Sequence, residues 1–297
     1  MQEFRRVNQF AMLMLAVMVL GSGVVATVMS WLGTDHLLVR YILVYGLQFV
    51  CPVVLYCVTI REYKPGEILR LGQPKVYTYV LVIIFAVAIQ PFLMCVSSLT
   101  SIIFKNYVNA SMAKYLENPL WLTLISAALI PAVCEELLCR GVYLSGCRRL
   151  NIYLSAALNG AFFGILHMNP QQSIYAAIFG FLCALIASGA NSVWPAIVAH
   201  FLINGTQLVL AYVQAWLPEN PLMMEIMAED ALWKMLPTAI LLAAVAVWCL
   251  VRIFYVNGRH DLLKKKSEME MNEAFPGLCW FGGLVAGFVI IIIMVGI

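Results

Sequence analysis

The residues best placed to do chemistry are two adjacent glutamates and an arginine inside an apolar segment. Residues 122–146 read LTLISAALIPAVCEELLCRGVYLSG, and Glu135, Glu136 and Arg140 are the charged side chains of this segment. A charged group at bilayer depth costs roughly 2.5–3.5 kcal/mol on insertion scales. An intramembrane cluster of this kind is a functional site by default, here one able to accept and donate protons.

The spacing of the three charges separates a pair from a single acid. On a helix, Glu136 and Arg140 are i and i+4 neighbours with the acid first, the favourable order for an ion pair. Glu135 lies about 100° around the helix and has no such partner. We therefore predict that Glu136 and Arg140 neutralise each other, while Glu135 points to a separate polar cavity as a general base. The alternative is a buried salt-bridge network that only fixes helix packing.

A histidine ends the next apolar segment. His167 follows Phe163 by four residues, and Gly160 and Gly164 share its helical face. Small residues at this spacing let a neighbouring helix approach closely, so we expect the face to press His167 against that neighbour. Taken alone, a histidine at a helix end is more typical of a structural position.

His200 and Asn204 form a further polar pair within the segment VWPAIVAHFLINGTQLVL. They are i and i+4 neighbours on one helical face, and both side chains can donate hydrogen bonds. Taken alone, the pair also fits a simple hydrogen-bonded contact between helices.

The composition predicts that membrane helices position these residues. Of 297 residues, 63% are hydrophobic and 11% charged, and the mean hydropathy is +0.90. The net charge of +3 argues against nucleic acid as a partner. We predict an all-α, polytopic transmembrane bundle forming a single membrane domain over 1–297, with the site on its fourth, fifth and seventh helices. About nine apolar runs approach the length that crosses a bilayer: 8–32, 38–60, 76–99, 119–145, 152–168, 173–189, 193–213, 234–256 and 276–297.

Basic residues alternate between the predicted loops and indicate an orientation. They cluster before the first run and after the second, fourth and eighth, at Arg5, Arg6, Arg61, Lys64, Arg70, Lys75, Arg148, Arg149, Arg252, Arg259 and Lys264–Lys266. The positive-inside rule then predicts a multi-pass protein of the cell membrane with a cytoplasmic N-terminus and an external C-terminus. Because basic loops flank the core helices, we also expect the site to open on the cytoplasmic side.

The three polar elements together resemble the CPBP family of intramembrane proteases, which includes the type II CAAX prenyl endopeptidases and the bacterial Abi proteins. The family pattern is EExxxR, then FxxxH, then HxxxN or HxxxD, on successive core helices. Here it reads Glu135-Glu136-Leu-Leu-Cys-Arg140, Phe163-Gly-Ile-Leu-His167 and His200-Phe-Leu-Ile-Asn204, in that order. The resemblance covers roughly 119–210 and leaves 1–118 and 211–297 as flanking transmembrane helices.

The resemblance implies a glutamate-type intramembrane endopeptidase that hydrolyses a peptide bond with an activated water. Glu135 aligns with the general base, and His167 with the histidine that orients or activates the water. His200 and Asn204 align with the groups that stabilise the oxyanion. The supporting residues are Glu136, Arg140 and Phe163.

The expected partners are the lipid bilayer and a membrane-associated protein or peptide substrate, prenylated or not. Two other function classes stay open at this point. One is a non-catalytic immunity or regulatory membrane protein that retains the site residues. The other is a proton-coupled transporter in which Glu135 and the histidines form a proton relay.

No cofactor is expected, with one alternative. Glu135, His167 and His200 could together hold Zn²⁺, whose protein ligands are of these types. The sequence lacks the HExxH spacing typical of zinc proteases, and Glu136 is assigned to Arg140.

Overall fold

The computed structural model describes residues 2–104, 108–219 and 231–295, and the regular elements in these ranges are all helices. Eight of the described helices are long and apolar enough to cross a membrane. The predicted all-α, polytopic bundle is therefore confirmed. The helices are α1 (Gln2–Leu32), α2 (Leu37–Thr59), α3 (Pro65–Ile68), α4 (Val76–Ile103), α5 (Val108–Leu116), α6 (Leu120–Gly146), α7 (Ile152–Leu166), α8 (Pro170–Ala190), α9 (Trp194–Trp216), α10 (Ala231–Val256) and α11 (Met271–Val295).

Helix α7 corresponds to the fifth predicted span and is shorter than the other eight apolar helices. Its 15 residues extend about 22 Å at ~1.5 Å per residue, less than the ~30 Å of a hydrocarbon core. The side chain of Asn151 starts the helix by accepting a hydrogen bond from Leu154 N at 2.9 Å. Its last turn ends at His167, so the length of α7 sets how far this histidine reaches into the bundle.

The N-terminus and four connections lie together at one end of the bundle, which we call the basic face. Arg148 forms an ion pair with Glu3, and Arg149 with Glu273, at 3.7 and 3.3 Å. Ser192 Oγ donates a hydrogen bond to Gly72 O at 2.6 Å. The connections that meet here are 60–75, 147–151, 191–193 and 257–270.

The described connections 33–36, 117–119 and 167–169 lie at the opposite end, which we call the far face. The hydroxyl of Tyr212 on α9 lies 2.6 Å from Tyr115 O and 2.7 Å from Asn118 O, and this contact joins α9 to the segment before α6. Helices α1 and α11 leave the basic face side by side, because Phe4 packs at Gly277 and Leu15 at Gly287. The two described ends of the chain therefore lie at opposite faces.

Helix α6 contains widened π-helical turns on both sides of the glutamate pair. The turns span Leu124–Leu129 and Leu137–Tyr143, and Pro131 follows the first of them. Proline lacks the N–H of an α-helical hydrogen bond and its ring clashes with the preceding turn, so a widened turn accommodates it. Helix α6 is therefore widened just before the glutamate pair.

Helices α7 and α8 lie in close backbone contact. A Cβ atom built on Gly160 would lie 2.4 Å from Ala177 O, and one on Gly164 would lie 2.5 Å from Ser173 O. Only glycine permits this approach, which confirms the predicted small face of α7. The contact fixes the end of α7, and with it His167, against the first half of α8.

Candidate active site

Glu136 and Arg140 form the buried ion pair that the sequence predicts. Arg140 Nη1 donates to Glu136 Oε1 at 2.9 Å, and both side chains are fully buried. Arg140 Nη2 also donates to Gly180 O on α8 at 2.9 Å, and its guanidinium lies 4.5 Å from the centre of the Phe163 ring. The pair therefore ties α6 to α7 and α8 while its charges cancel.

Glu135 lies apart from this pair and faces a cavity. Its side chain is 12% exposed, whereas that of Glu136 is 0% exposed. Glu135 Oε1 accepts a hydrogen bond of 2.7 Å from the hydroxyl of Tyr45 on α2. Its other oxygen, Oε2, is 3.9 Å from His200 Nε2. One oxygen is thus held by the protein, and the other lies beside a histidine at the cavity wall.

His200 connects the two glutamates. Its Nδ1 is 2.8 Å from Glu136 Oε1, so the carboxylate accepts the Nδ1–H. Its Nε2 is the nitrogen on the side of Glu135. Phe163 and Phe179 pack edge-on against the ring, with centroid distances of 5.6 and 5.5 Å. These contacts hold the imidazole in one orientation between α6, α7 and α8.

His167 reaches the same cavity from the end of α7. Its Nδ1 is 2.8 Å from Phe163 O, and because a carbonyl oxygen only accepts, Nδ1 carries the hydrogen. In the neutral ring, Nε2 is then the acceptor, as a histidine that takes a proton from water requires. Phe163 packs edge-on against this ring too, at 4.8 Å, so it supports both histidines.

Asn204 and Gln207 complete the wall on the α9 side. They follow His200 at i+4 and i+7, on the same helical face, and both line the cavity. Among the residues that the structure describes, neither amide has a hydrogen-bond partner. Both are therefore free to bind a substrate.

The cavity has a volume of about 180 Å³, enough for several water molecules at ~30 Å³ each. Glu135, His167, His200 and Asn204 all line it, so the structure brings the four predicted catalytic residues to one cavity. Its polar lining consists of Tyr41, Tyr45, Tyr115, Glu135, His167, Gln172, Tyr175, His200, Asn204 and Gln207.

The cavity continues toward the far face. It shares Tyr115, His167 and Asn204 with a space of about 350 Å³. It also shares Tyr41 and Tyr45 with one of about 620 Å³, which we call the vestibule. The vestibule is also lined by Asp35, Lys114 and Glu117, from the connections of the far face.

The prediction that the site opens beside the basic loops is therefore wrong. Basic residues distinguish the two sides of the bundle, but they do not indicate which ends of the helices are closed. At the basic face, residues 191–193 pack against segment 60–75, and Ser192 and Val193 are fully buried. The site is thus closed at the basic face, where the sequence predicts its opening.

Three tyrosines complete the site and were not among the sequence-predicted residues. Tyr45 binds Glu135, and the hydroxyls of Tyr41 and Tyr115 are hydrogen-bonded to each other at the cavity rim. Tyr41 and Tyr45 are i and i+4 neighbours with stacked rings, so their spacing was a possible signal. Tyrosines are frequent at membrane interfaces, however, and nothing local links α2 to α6.

The alternative zinc set does not form a ligand cluster. Within the described ranges, no group of three His, Cys, Asp or Glu side chains is arranged to hold a metal ion. Glu135 Oε2 and His200 Nε2 lie 3.9 Å apart.

Comparison with known proteins supports the predicted family. Residues 117–206 match the family model described as type II CAAX prenyl endopeptidase Rce1-like. The match contains every residue of the three motifs and confirms the resemblance to the CPBP and CAAX protease family. Comparison with curated proteins and with solved structures gave no match.

Proposed function

We propose that this chain is an endopeptidase that hydrolyses a peptide bond of a membrane-associated polypeptide with an activated water. The premise is the match of residues 117–206 to the family of type II CAAX prenyl endopeptidases, a family of intramembrane proteases. One observation carries the proposal. Of the two glutamates, Glu136 is bound to Arg140 and His200 in a fully buried network, and Glu135 alone faces the cavity. This arrangement provides a base next to space for water.

Glu135 and His167 act on the water. The water oxygen forms a bond to the scissile carbonyl carbon while its proton passes to Glu135, assisted by the acceptor Nε2 of His167. The tetrahedral intermediate then collapses, the carbon–nitrogen bond breaks, and the same proton passes to the leaving amine. The products are a carboxylic acid and an amine, with no change of oxidation state.

His200 and Asn204 meet the negative charge that develops on the carbonyl oxygen. An Nε2–H of His200 and the amide of Asn204 are the donors, and Glu136 orients the ring through Nδ1. A single donor of this kind is typically worth about 10²–10³ in rate. The hydrogen bond from Tyr45 holds Glu135 toward this point and restricts its rotamers.

The test is a comparison of two Glu→Gln variants in proteoliposomes. Glu135→Gln retains the size of the side chain and an acceptor for Tyr45, so the fold stays intact while the base is lost. Glu270→Gln makes the same change at an exposed position of the basic face and serves as the control. We expect cleavage of a fluorogenic peptide library by the wild type and by Glu270→Gln, and cleavage at background level by Glu135→Gln.

Three measurements complete the test. Circular dichroism and thermal unfolding verify that Glu135→Gln is folded. Proton flux in the same vesicles tests the transporter alternative, for which flux without cleavage is the signature. Undiminished cleavage by a folded Glu135→Gln variant contradicts the proposed role of Glu135.

A further inference from the structure

The candidate site is sealed on the side of the basic face. Ser192 Oγ donates to Gly72 O at 2.6 Å, and Val193 N donates to Arg70 O at 3.0 Å. Beneath the glutamate pair, a Cβ built on Gly141 would lie 3.1 Å from Leu69 Cα. Segment 60–75 therefore packs backbone against backbone under α6 and α9, a contact too close for a substrate to pass.

The far side of the site is open because α7 is short. After α7 ends, Gln171 at the start of α8 bonds to Ser97 and Thr100 of α4. These positions are one to two turns before the end of α4 at Ile103. The connection between α7 and α8 thus lies deeper in the bundle than the end of α4. The open space between this connection and the far face, which we call the well, leads to His167.

The distribution of basic residues indicates which face of the bundle lies on which side of the membrane. The N-terminus and the connections of the basic face carry Arg5, Arg6, Arg61, Lys64, Arg70, Lys75, Arg148, Arg149, Arg252, Arg259 and Lys264–Lys266. Apart from Arg140 in the site, the rest of the sequence carries only four basic residues, Arg40, Lys105, Lys114 and Lys234. By the positive-inside rule, the basic face is cytoplasmic.

We infer that the site receives its substrate from the non-cytoplasmic side of the membrane. This inference rests on the proposed endopeptidase function. The substrate class is a membrane-anchored polypeptide whose scissile bond lies at the non-cytoplasmic end of its anchor. A substrate presented only as a cytoplasmic tail meets the sealed basic face and has no route to Glu135.

A groove between α1 and α2 favours an anchored substrate over a free peptide. It has a volume of about 530 Å³ and shares Asp35, Arg40 and Val44 with the vestibule. Its other walls belong to the far half of α1, from Ser22 to Gly33. An extended chain that leaves the bilayer at this level can follow the groove into the vestibule.

Thiol labelling tests the sidedness independently of catalysis. Glu117→Cys places a thiol at the vestibule, and Glu270→Cys places one at the basic face, each at an exposed position and with the same change of charge. Both variants are produced in the bacterial inner membrane and treated with a membrane-impermeant maleimide in spheroplasts. We expect Glu117→Cys to be labelled in intact spheroplasts and Glu270→Cys only after permeabilisation, with the wild type as background. The reverse pattern overturns the inference.

Mapping of cleavage sites tests the substrate class. New protein termini are compared between cells that produce the wild type and cells that produce Glu135→Gln. We expect the termini that depend on Glu135 to lie at the non-cytoplasmic ends of membrane anchors. Termini in cytoplasmic tails overturn the inference but leave the endopeptidase function standing. Absence of Glu135-dependent termini contradicts the proposed function itself, and the labelling result then decides the sidedness alone.

Discussion

Removal of the charge on Glu136 is expected to destabilise the whole bundle, whereas the same change at Glu135 is not. In Glu136→Gln, Arg140 keeps its bond to Gly180 O and its contact with the Phe163 ring, but neither cancels its charge. Breaking a buried ion pair by removing one partner costs about 3–5 kcal/mol. The variant also loses the acceptor charge for His200 Nδ1, so activity falls together with stability.

Thermal unfolding of the purified protein in nanodiscs measures this difference. At roughly 2–4 °C per kcal/mol, the cost predicts that the midpoint for Glu136→Gln falls by at least about 6 °C. The midpoint for Glu135→Gln should stay close to the wild-type value, because this variant keeps an acceptor for the Tyr45 hydroxyl and leaves no buried charge unpaired.

A double variant separates lost charge from lost packing. Glu136→Gln combined with Arg140→Met removes both charges, so no guanidinium is left uncompensated in the bundle. Replacement of a whole buried pair is often nearly neutral, so the double variant should be more stable than Glu136→Gln alone. An unchanged midpoint for Glu136→Gln, or an equal fall for Glu135→Gln, refutes the division of the glutamates into a structural acid and a catalytic one.

Three further predictions concern the tyrosine, the helix contact and the metal alternative. Tyr45→Phe removes only the hydroxyl that bonds Glu135, and because hydrogen bonds to charged groups are worth about 1.5–3 kcal/mol, steady-state kinetics should show a kcat about 10–100-fold lower at unchanged KM. Gly160→Ala forces a Cβ against Ala177 O and should lower the unfolding midpoint by the equivalent of about 1–3 kcal/mol, whereas Gly282→Ala, with no atom within 4 Å, should not. Treatment with a strong chelator should leave cleavage unchanged, and loss of cleavage that added Zn²⁺ restores contradicts this expectation.

The parts of the site that depend on one helix could be predicted from the sequence. The pairing of Glu136 with Arg140 and the small face of α7 both follow from helical spacing, and the structure contains both. Helical period and side-chain chemistry are local properties, so they do not depend on how the helices pack. The same reasoning identified Glu135 as the acid without a partner on its own helix.

The contacts between helices could not be predicted in this way. Tyr45 is 90 residues from Glu135 in the sequence, and His200 is 64 residues from Glu136. The spacing within α9 placed His200 and Asn204 on one face, but only the packing of α9 on α6 brings Nδ1 to Glu136. His200 is consequently bound to Glu136 and also lies beside Glu135, the proposed base. A separate treatment of each motif does not predict this linkage.

The wrong prediction that the site opens beside the basic loops has the same origin. Loop charges distinguish the two faces, but the side on which a site opens depends on which helix ends are covered. Segment 60–75 covers the ends beside the basic residues, and α7 stops after 15 residues on the other side. Because α7 ends at Leu166, His167 lies at the same cavity as Glu135, and the space between His167 and the far face stays open. A longer α7 would carry His167 away from Glu135 and fill the space above it. One short helix therefore determines both the position of the proposed catalytic histidine and the proposed direction of access.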